Sequence, residues 1–375
     1  MLLSVVLALL TALLAPPIIY YAWMKSKAKK SWDLTINNNC QPKVSLIIPT
    51  YNEASVISKK LENAQRIDYP KDNLQIILVD SASTDGTFAV CKGFLEKDAL
   101  RFPIRLLSEK ERMGKSHALN IALEYATGEI IATSDADSFW EPNVLRNTIP
   151  FFADPSVGAV MGREELINLE QTIHTLSEGL YRKFFYTLRL GESKVHSTLF
   201  FQGELSLYRR SALEKFEDRA GYSDDIGTVV SIISRGFRCI FIPEAVFHDT
   251  TAYSLRGRLM LKSRRAQHLI AGIIEALKLK TQRRLPLPSS IVLFNFYMHV
   301  ISPLLLVTTA LTVVLNFQTF CYLMPLVVPL LLFEKSRVFM ISYLTSNLAL
   351  IIGLIRNFTG KKEVAWRKIE EMRAT

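Results

Sequence analysis

Long apolar runs at both ends of the chain flank a more polar middle section. The first run, residues 1–23, has no charged residue, and lysines follow it directly. Further uncharged runs lie at 289–317, 319–333 and 338–355. A helix of about 20 apolar residues crosses the hydrocarbon core of a bilayer, so three of these runs are long enough to span it. The pattern therefore predicts an integral membrane protein with a folded middle section.

The flanking charges predict how the chain is oriented. Positive residues after the first run favour an uncleaved anchor whose C-terminal end is cytoplasmic. A cleaved signal peptide, the alternative, usually carries its positive charges before the apolar run. Four crossings would place the basic segment after Arg356 outside, against the positive-inside rule, unless the short run 319–333 is re-entrant or interfacial. In either case residues 31–288 are predicted to be cytoplasmic, and the plasma membrane is the favoured location.

Within the middle section, short β-rich runs alternate with helical patterns. Strands are expected at 44–48, 75–79, 104–107 and 129–133, and helices at 55–65, at 116–125 and from Pro142 onward. This alternation predicts an α/β fold with a mostly parallel sheet covered on both faces. Ligands of such sheets bind beyond the carboxyl ends of the strands.

Polar and acidic residues stand at those strand ends. Residues 50–53 (TYNE) follow the first strand, Asp80 ends the second, and Asp135 and Asp137 follow the fourth. Two carboxylates one residue apart suit Mg²⁺ or Mn²⁺, which would make a diphosphate a better leaving group. A solvated Asp-rich loop without a metal, the alternative, would have the same sequence pattern. The other acidic positions, which converge on the same edge, favour a metal site at Asp135 and Asp137.

Two further segments carry candidate chemistry. Asp224 and Asp225 precede an apolar helical stretch, where a carboxylate would cap the helix and could also act as a general base toward an acceptor hydroxyl. Gly114 and Lys115 precede another helix, where a backbone N–H and an ammonium suit a diphosphate, although a surface lysine would have the same pattern. Transfer to a sugar C1 with one such base would invert the anomeric configuration.

Charge and cysteine content narrow the function classes. The chain has 45 Lys and Arg against 35 Asp and Glu, a net charge of +10. The basic residues cluster beside apolar segments, which favours contact with membrane lipids. Residues 255–272 and 181–190 have the pattern of basic amphipathic helices that could lie on lipid headgroups. The alternatives for 255–272 are the lining of a phosphate-facing cleft and a solvated charged face. The aromatic-basic interleaving typical of an RNA platform is missing, so no nucleic-acid partner is expected. The spacing of the four cysteines predicts neither a zinc site nor a disulfide framework.

The ordered motifs resemble glycosyltransferase family 2, the inverting class with a GT-A fold. VSLIIPTYNE (44–53) resembles its nucleotide-binding strand, implying base contacts from Pro49, Tyr51 and Glu53. ILVDSASTDGT (77–87) implies a base contact from Asp80, with Ser81 in place of the usual second Asp. GKSHALN (114–120) implies Lys115 near the diphosphate. SDADSF (134–139) matches the family's DxD motif, implying Asp135 toward the ribose or metal and Asp137 on the metal.

The resemblance continues on the acceptor side and then departs from the pattern. FFQGELSLYRRSAL (200–213) implies that Gln202 and Gly203 lie beside the sugar, and YSDD (222–225) implies that Asp225 is the base, with Asp224 its neighbour. Processive synthases carry a Gln-x-x-Arg-Trp motif on an interfacial helix. Residues 262–266 (KSRRA) keep the arginine, Arg265, as a donor-binding candidate, but lack the Gln and the Trp. This departure puts processive elongation in doubt.

These observations divide the chain into predicted parts: an anchor (1–24), a GT-A catalytic domain (31–250), basic interfacial helices (251–288), two or three membrane helices (289–357) and a basic tail (358–375). The resemblance implies transfer of a hexose, glucose or mannose, from a UDP- or GDP-sugar to a glycan acceptor, possibly with elongation. Single transfer to a lipid phosphate or glycolipid is the alternative. An inactive nucleotide-sugar sensor is a third hypothesis, which the intact Asp137 and Asp225 disfavour.

Overall fold

The computed structural model describes residues 2–96, 100–219 and 224–360. Most of the predicted basic tail, and Tyr222 and Ser223 of the YSDD motif, lie outside these ranges. An eight-stranded sheet forms the centre of the middle section. Its strands are β1 (Val44–Thr50), β2 (Leu74–Asp80), β3 (Ile104–Ser108), β4 (Ile130–Thr133), β5 (Phe139–Trp140), β6 (Val157–Leu166), β7 (Ser206–Arg209) and β8 (Arg238–Asp249).

Helices cover the sheet and extend beyond it. The α-helices are α1 (Leu2–Ala28), α2 (Ile57–Gln65), α3 (Thr87–Leu95), α4 (Lys115–Glu124), α5 (Val144–Thr148), α6 (Ile173–Val195), α7 (Ile226–Ser234), α8 (Leu255–Thr281), α9 (Ser289–Phe296), α10 (Ser302–Val314), α11 (Phe317–Leu332) and α12 (Glu334–Phe358). The strands and helices predicted from periodicity in the first half of the middle section are therefore confirmed.

The strand order explains where a ligand cleft forms. The order is β3-β2-β1-β4-β7-β6-β8-β5, in which β1, β2, β3 and β4 are parallel and β7 runs antiparallel to β4. From β1 the chain proceeds outward to β2 and β3 and then returns to the other side of β1 as β4. A crevice opens at such a switch point, beyond the carboxyl ends of β1 and β4. The predicted mostly parallel α/β sheet is confirmed, with antiparallel pairs confined to β4–β7, β6–β7 and β5–β8.

Apolar side chains fill both faces of this sheet. Leu46 and Ile48 of β1 pack into one cluster together with residues of α2, α3 and α5, whereas Ile47 packs into the other together with residues of α4, α7 and α8. Successive residues of a strand point to opposite faces, so an unbroken apolar strand such as β1 supplies both clusters. The strands that carry the carboxyl-edge loops are therefore packed on both faces.

Among the described residues, three helices are long and apolar enough to cross a membrane: Leu3–Ala28, Ser289–Val314 and Glu334–Phe358. The second joins α9 to α10 through a π-helical turn, Tyr297–Ile301. The short third apolar run forms α11, whose 16 residues include two prolines. Its length is below that of a typical spanning helix. The structure thus supports membrane integration by three candidate spans.

The basic helix α8 buries much of its charged face. Arg258 is only 1% exposed. Its Nη2 lies 2.7 Å from Glu178 of α6, and Lys262 Nζ lies 3.0 Å from the same carboxylate. The opposing charges of Lys262 and Arg258 outweigh the effect of burial and lower the pKa of Glu178. These cations therefore fasten α8 to α6 and do not form a fully solvated face.

Candidate functional site

Two loops at the carboxyl edge of the sheet are fastened to each other. The amide of Asn52 donates to Ser83 Oγ (2.8 Å), and the amide of Glu53 donates to Thr87 Oγ1 (2.7 Å). Asp80 is aligned with Thr50 on the neighbouring strand, is 3% exposed and accepts from the Ser83 amide. The two loops that carry the predicted base contacts therefore form one preorganised wall beyond β1 and β2.

An aromatic face and a guanidinium complete this wall. Arg112, in the segment before α4, lies with its guanidinium carbon 3.8 Å from the centre of the Tyr51 ring. Planar guanidinium groups stack on aromatic faces, and the resulting stack is a suitable neighbour for a nucleobase. Pro49 and Glu53 belong to the same strand end, so the structure brings the predicted nucleotide contacts together.

The second part of the crevice brings acidic groups around one ammonium. Lys115 Nζ lies 2.6 Å from Asp135 Oδ1 and 3.5 Å from Asp224 Oδ2. Asp135 follows β4, Lys115 begins α4, and Asp224 precedes α7. Elements that are far apart in the sequence thus meet at the switch point. Of these three residues, the strand-end argument includes only Asp135.

Asp225 is the N-cap residue of α7 and faces the same group of charges. Burial and the charge of Asp224 raise its pKa well above the usual value for a carboxyl, although Lys115 opposes the shift. A higher pKa makes a carboxylate a stronger proton acceptor. Its position and chemistry both suit a general base.

Gly203 leaves the space in front of these groups open. A Cβ at this position would lie 2.6 Å from Lys115 Nζ and 2.7 Å from Asp225 Oδ1. No side chain larger than hydrogen fits there without displacing both. Its neighbour Gln202 accepts from Arg189 Nη1 (3.0 Å) and donates to Glu164 Oε2 (2.5 Å). The two acceptor-side residues are thus held directly beside the candidate base.

A profile of the family described as Glycosyl transferase family 2 matches residues 45–216. The solved structure of the mannosyltransferase PcManGT from Pyrobaculum calidifontis, in complex with GDP-Man and Mn²⁺, is 33% identical, with a TM-score of 0.83. The match covers 96% of this chain and 100% of that chain. The chain belongs to glycosyltransferase family 2. Its catalytic-type domain has the GT-A fold.

Curated relatives share only part of their length with this family 2 chain. The probable glycosyltransferase YdaM of Bacillus subtilis (strain 168) is 31% identical over 211 residues, covering 55% of this chain and 50% of that protein. The beta-monoglucosyldiacylglycerol synthase of Synechocystis sp. is 34% identical over 143 residues, covering 37% and 29%. The chain therefore spans half or less of the length of these two relatives.

The carboxylates of this family 2 chain fit a hard divalent cation. Asp135 and Asp137 are half-buried at the end of β4, and the fully buried Asp249 ends β8. Burial, together with the nearby charges of Asp137 and Glu204, raises the pKa of Asp249 well above the usual value for a carboxyl. Mg²⁺ and Mn²⁺ prefer oxygen ligands and fill their remaining positions with substrate phosphates. A separate group lies on β6, β8 and the segment after β5. It consists of Glu141, Glu165 and His248, each of which offers one ligand atom within 4.8 Å of the other two.

Two residues missed by the sequence reading support this arrangement. Lys60 of α2 is 1% exposed, and its Nζ donates to Ser134 Oγ (2.6 Å) and to the Ser138 carbonyl (2.5 Å), which bracket the DxD turn. Burial lowers the pKa of Lys60 to about 7. The sequence pattern could have indicated that Lys60 is buried, because it lies on the apolar face of the helix with Ile57, Leu61 and Ala64. No comparable pattern marks Asp249, which ends a strand that was not predicted from the sequence.

The altered synthase motif on α8 has a structural counterpart. Arg265 Nη2 lies 2.9 Å from Glu204 Oε1, so the retained arginine faces the site next to Gly203. At the position of the missing tryptophan, Ala266 packs against α12: a Cβ on Gly353 would lie 2.9 Å from the Ala266 Cβ. The last candidate span therefore occupies the space that an aromatic side chain would need.

Substitution of Gly203 tests the open space beside the base. In Gly203→Ala the new methyl group should displace Lys115 and Asp225 and lower kcat by about 100-fold, since a misplacement of about 1 Å can have that effect. Both displaced atoms are at the ends of side chains, so the melting temperature should change little. Gly93→Ala, at a helical position with open space within 4 Å, is the matched control. Equal kcat in the two variants would contradict this role.

Proposed function

We propose that the protein is a metal-dependent, inverting hexosyltransferase that uses a nucleotide-diphosphate sugar and an acceptor held at the cytoplasmic membrane face. One observation carries this proposal: Lys115 and Asp225 lie beside Gly203 at the switch point of the sheet, and Lys115 pairs with Asp135. The 33% identity to a mannosyltransferase bound to GDP-Man and Mn²⁺ supports a GDP- or UDP-sugar and makes mannose the favoured hexose.

The donor would extend along the wall of the crevice. Its base would stack near Tyr51 and Arg112, with Pro49, Glu53 and Asp80 beside it. Lys115 and Arg265 would contact the diphosphate, and Asp135 and Asp137 would hold Mn²⁺ or Mg²⁺, with Asp249 behind them. When bound, the cation would neutralise charge on the leaving diphosphate.

The acceptor would enter from the side of Gln202 and Gly203. Its hydroxyl gives its proton to the carboxylate of Asp225 as the new bond to the sugar C1 forms. The bond from C1 to the donor phosphate breaks, and the nucleoside diphosphate leaves with the electron pair. A single in-line displacement of this kind inverts the configuration at C1. Asp224 would hold Lys115 on the donor side.

A single or short addition fits the structure better than processive elongation. The Ala266–Gly353 contact leaves no room for the aromatic platform of the processive synthases. The relative that synthesises beta-monoglucosyldiacylglycerol supports a membrane lipid as the carrier of the acceptor. Elongation of a glycan is the second candidate, since Gln202 and Gly203 would suit a sugar acceptor as well.

A donor and product survey tests this function. The full chain in detergent is incubated with Mn²⁺ or Mg²⁺, labelled UDP- and GDP-sugars and a membrane lipid extract, and the products are separated into organic and aqueous phases. We expect transfer from one donor, dependent on the metal, into a single organic-phase product. A growing water-soluble ladder would instead support elongation. Donor binding without turnover for every donor and acceptor would overturn the proposal.

A further inference from the structure

One cation beside the acceptor segment has no acidic partner in the described part of the chain. Arg189 of α6 donates from Nη1 to Gln202 Oε1 (3.0 Å). Within residues 2–96, 100–219 and 224–360, no carboxylate oxygen lies within 4.0 Å of its guanidinium, and its buried Nε has no hydrogen-bond partner. By contrast, the nearby Arg258 and Lys262 both pair with Glu178. A half-buried guanidinium that lacks such a partner retains its capacity to bind an anion.

The acidic side chains near Arg189 do not neutralise the positive charge of its guanidinium. Glu192 is buried and accepts from Tyr20, Thr198 and Asn295. Burial raises the pKa of Glu192 to about 7, so this carboxyl is only partly charged near neutral pH. Glu204 is paired with Arg265. Arg189 therefore contributes an uncompensated positive charge next to Gln202.

Its surroundings place this charge where the catalytic-type domain meets the candidate spans. The Arg189 guanidinium lies 5.8 Å from the centre of the Phe200 ring, which in turn contacts His299 in the π-turn of the second span. Aromatic stacking between Tyr20 and Phe294 and between Tyr21 and Phe184 joins α1 to α9 and α6 nearby. Aromatic side chains of this kind concentrate at the depth of lipid headgroups.

We propose that Arg189, together with Gln202, binds the phosphate that joins the acceptor to its lipid, while the acceptor hydroxyl reaches Asp225 past Gly203. This assignment rests on the proposed transfer reaction. Arg189 is then a residue that determines acceptor specificity. Lys115 and Arg265 remain the groups for the donor diphosphate. The lipid chain would run beside the candidate spans, and the phosphate would lie at the depth of the headgroups.

Binding of simple lipid phosphates tests this assignment without knowledge of the sugar. Farnesyl phosphate and farnesol are titrated by calorimetry into the full chain in detergent, and dilauroyl phosphatidylglycerol serves as a bilayer-lipid phosphate. We expect the wild type to bind farnesyl phosphate about 10- to 100-fold more tightly than farnesol, as one charged hydrogen bond would give. Arg189→Gln should lose this preference, and Arg189→Lys should keep part of it.

Controls separate this role from folding and from donor binding. Arg146→Gln changes an exposed arginine that pairs with Asp68, and it should keep the full preference. Affinity for GDP and UDP with Mn²⁺ should be the same in all variants. The assignment fails if Arg189→Gln keeps the preference, if it weakens nucleotide binding equally, or if its affinity for phosphatidylglycerol equals that of the wild type. Absence of transfer from every donor would refute the proposed function instead, whatever Arg189 binds.

Discussion

Replacement of Asp225 by asparagine is expected to lower kcat by about 100- to 10,000-fold, the range that general-base catalysis usually contributes. Asparagine has the same shape as the carboxyl but cannot accept the acceptor proton. Burial and Asp224 already raise the pKa of Asp225, so the neutral amide removes an unfavourable buried charge and should not lower the melting temperature. Steady-state kinetics with saturating donor and acceptor measure the effect.

Donor binding separates loss of the base from loss of the site. Calorimetry with the nucleoside diphosphate and Mn²⁺ should give nearly the same affinity for Asp225→Asn and the wild type. Asp68→Asn is the matched control, because Asp68 is half-buried and pairs only with Arg146 among the acidic–basic contacts of the described chain. Near-normal turnover in Asp225→Asn would show that another group accepts the proton.

Replacement of Asp137 by alanine should abolish the dependence of nucleotide binding on metal. Changing an outer hydrogen-bond partner of a metal ligand typically lowers metal affinity by about 10- to 100-fold, so removal of a ligand should lower it by about 100-fold or more. The metal titration is followed by calorimetry, with and without nucleoside diphosphate. In the wild type, EDTA should weaken nucleotide binding, whereas in Asp137→Ala it should have little further effect.

The control for this experiment is Asp72→Ala, which removes an exposed carboxylate in the 3₁₀ turn before β2. It should retain metal-dependent binding. Nucleotide binding that responds to Mn²⁺ equally in Asp137→Ala and the wild type would refute Asp137 as a ligand. The candidate metal ligands would then be Glu141, Glu165 and His248, the other described group able to hold a cation.

Much of the donor side could be predicted because its residues are close together along the chain. Each of β1, β2 and β4 is a short apolar run that ends at a polar or acidic residue, and parallel strands place those ends at one edge. The local sequence therefore predicts both the strands and the edge of the sheet at which Asp80 and Asp135 lie. The family resemblance added roles, which the geometry accommodates and the variants above would test.

The acceptor side depended on contacts that periodicity does not encode. In the sequence, Arg189 is one of several basic residues on an amphipathic helix. Only the packing of α6 beside residues 200–204 shows that no carboxylate of the described chain pairs with it. The burial of Lys60 could be predicted from its place on an apolar helix face, whereas no such pattern predicted the position of Asp249. The interpretation of 255–272 as a membrane-surface helix was incomplete, because Arg258 is buried against Glu178.

The sequence by itself determined the order of elements, the parallel strand ends with their acidic residues, and the candidate membrane spans. These features follow from local periodicity and from the length of apolar runs. Only the tertiary structure decided which charges meet. It brought Gly203 between Lys115 and Asp225, paired Arg265 with Glu204, and placed Arg189 beside Gln202 with no carboxylate partner among the described residues. Such pairings join residues far apart in sequence, and their energies depend on burial and distance, which are properties of the folded chain alone.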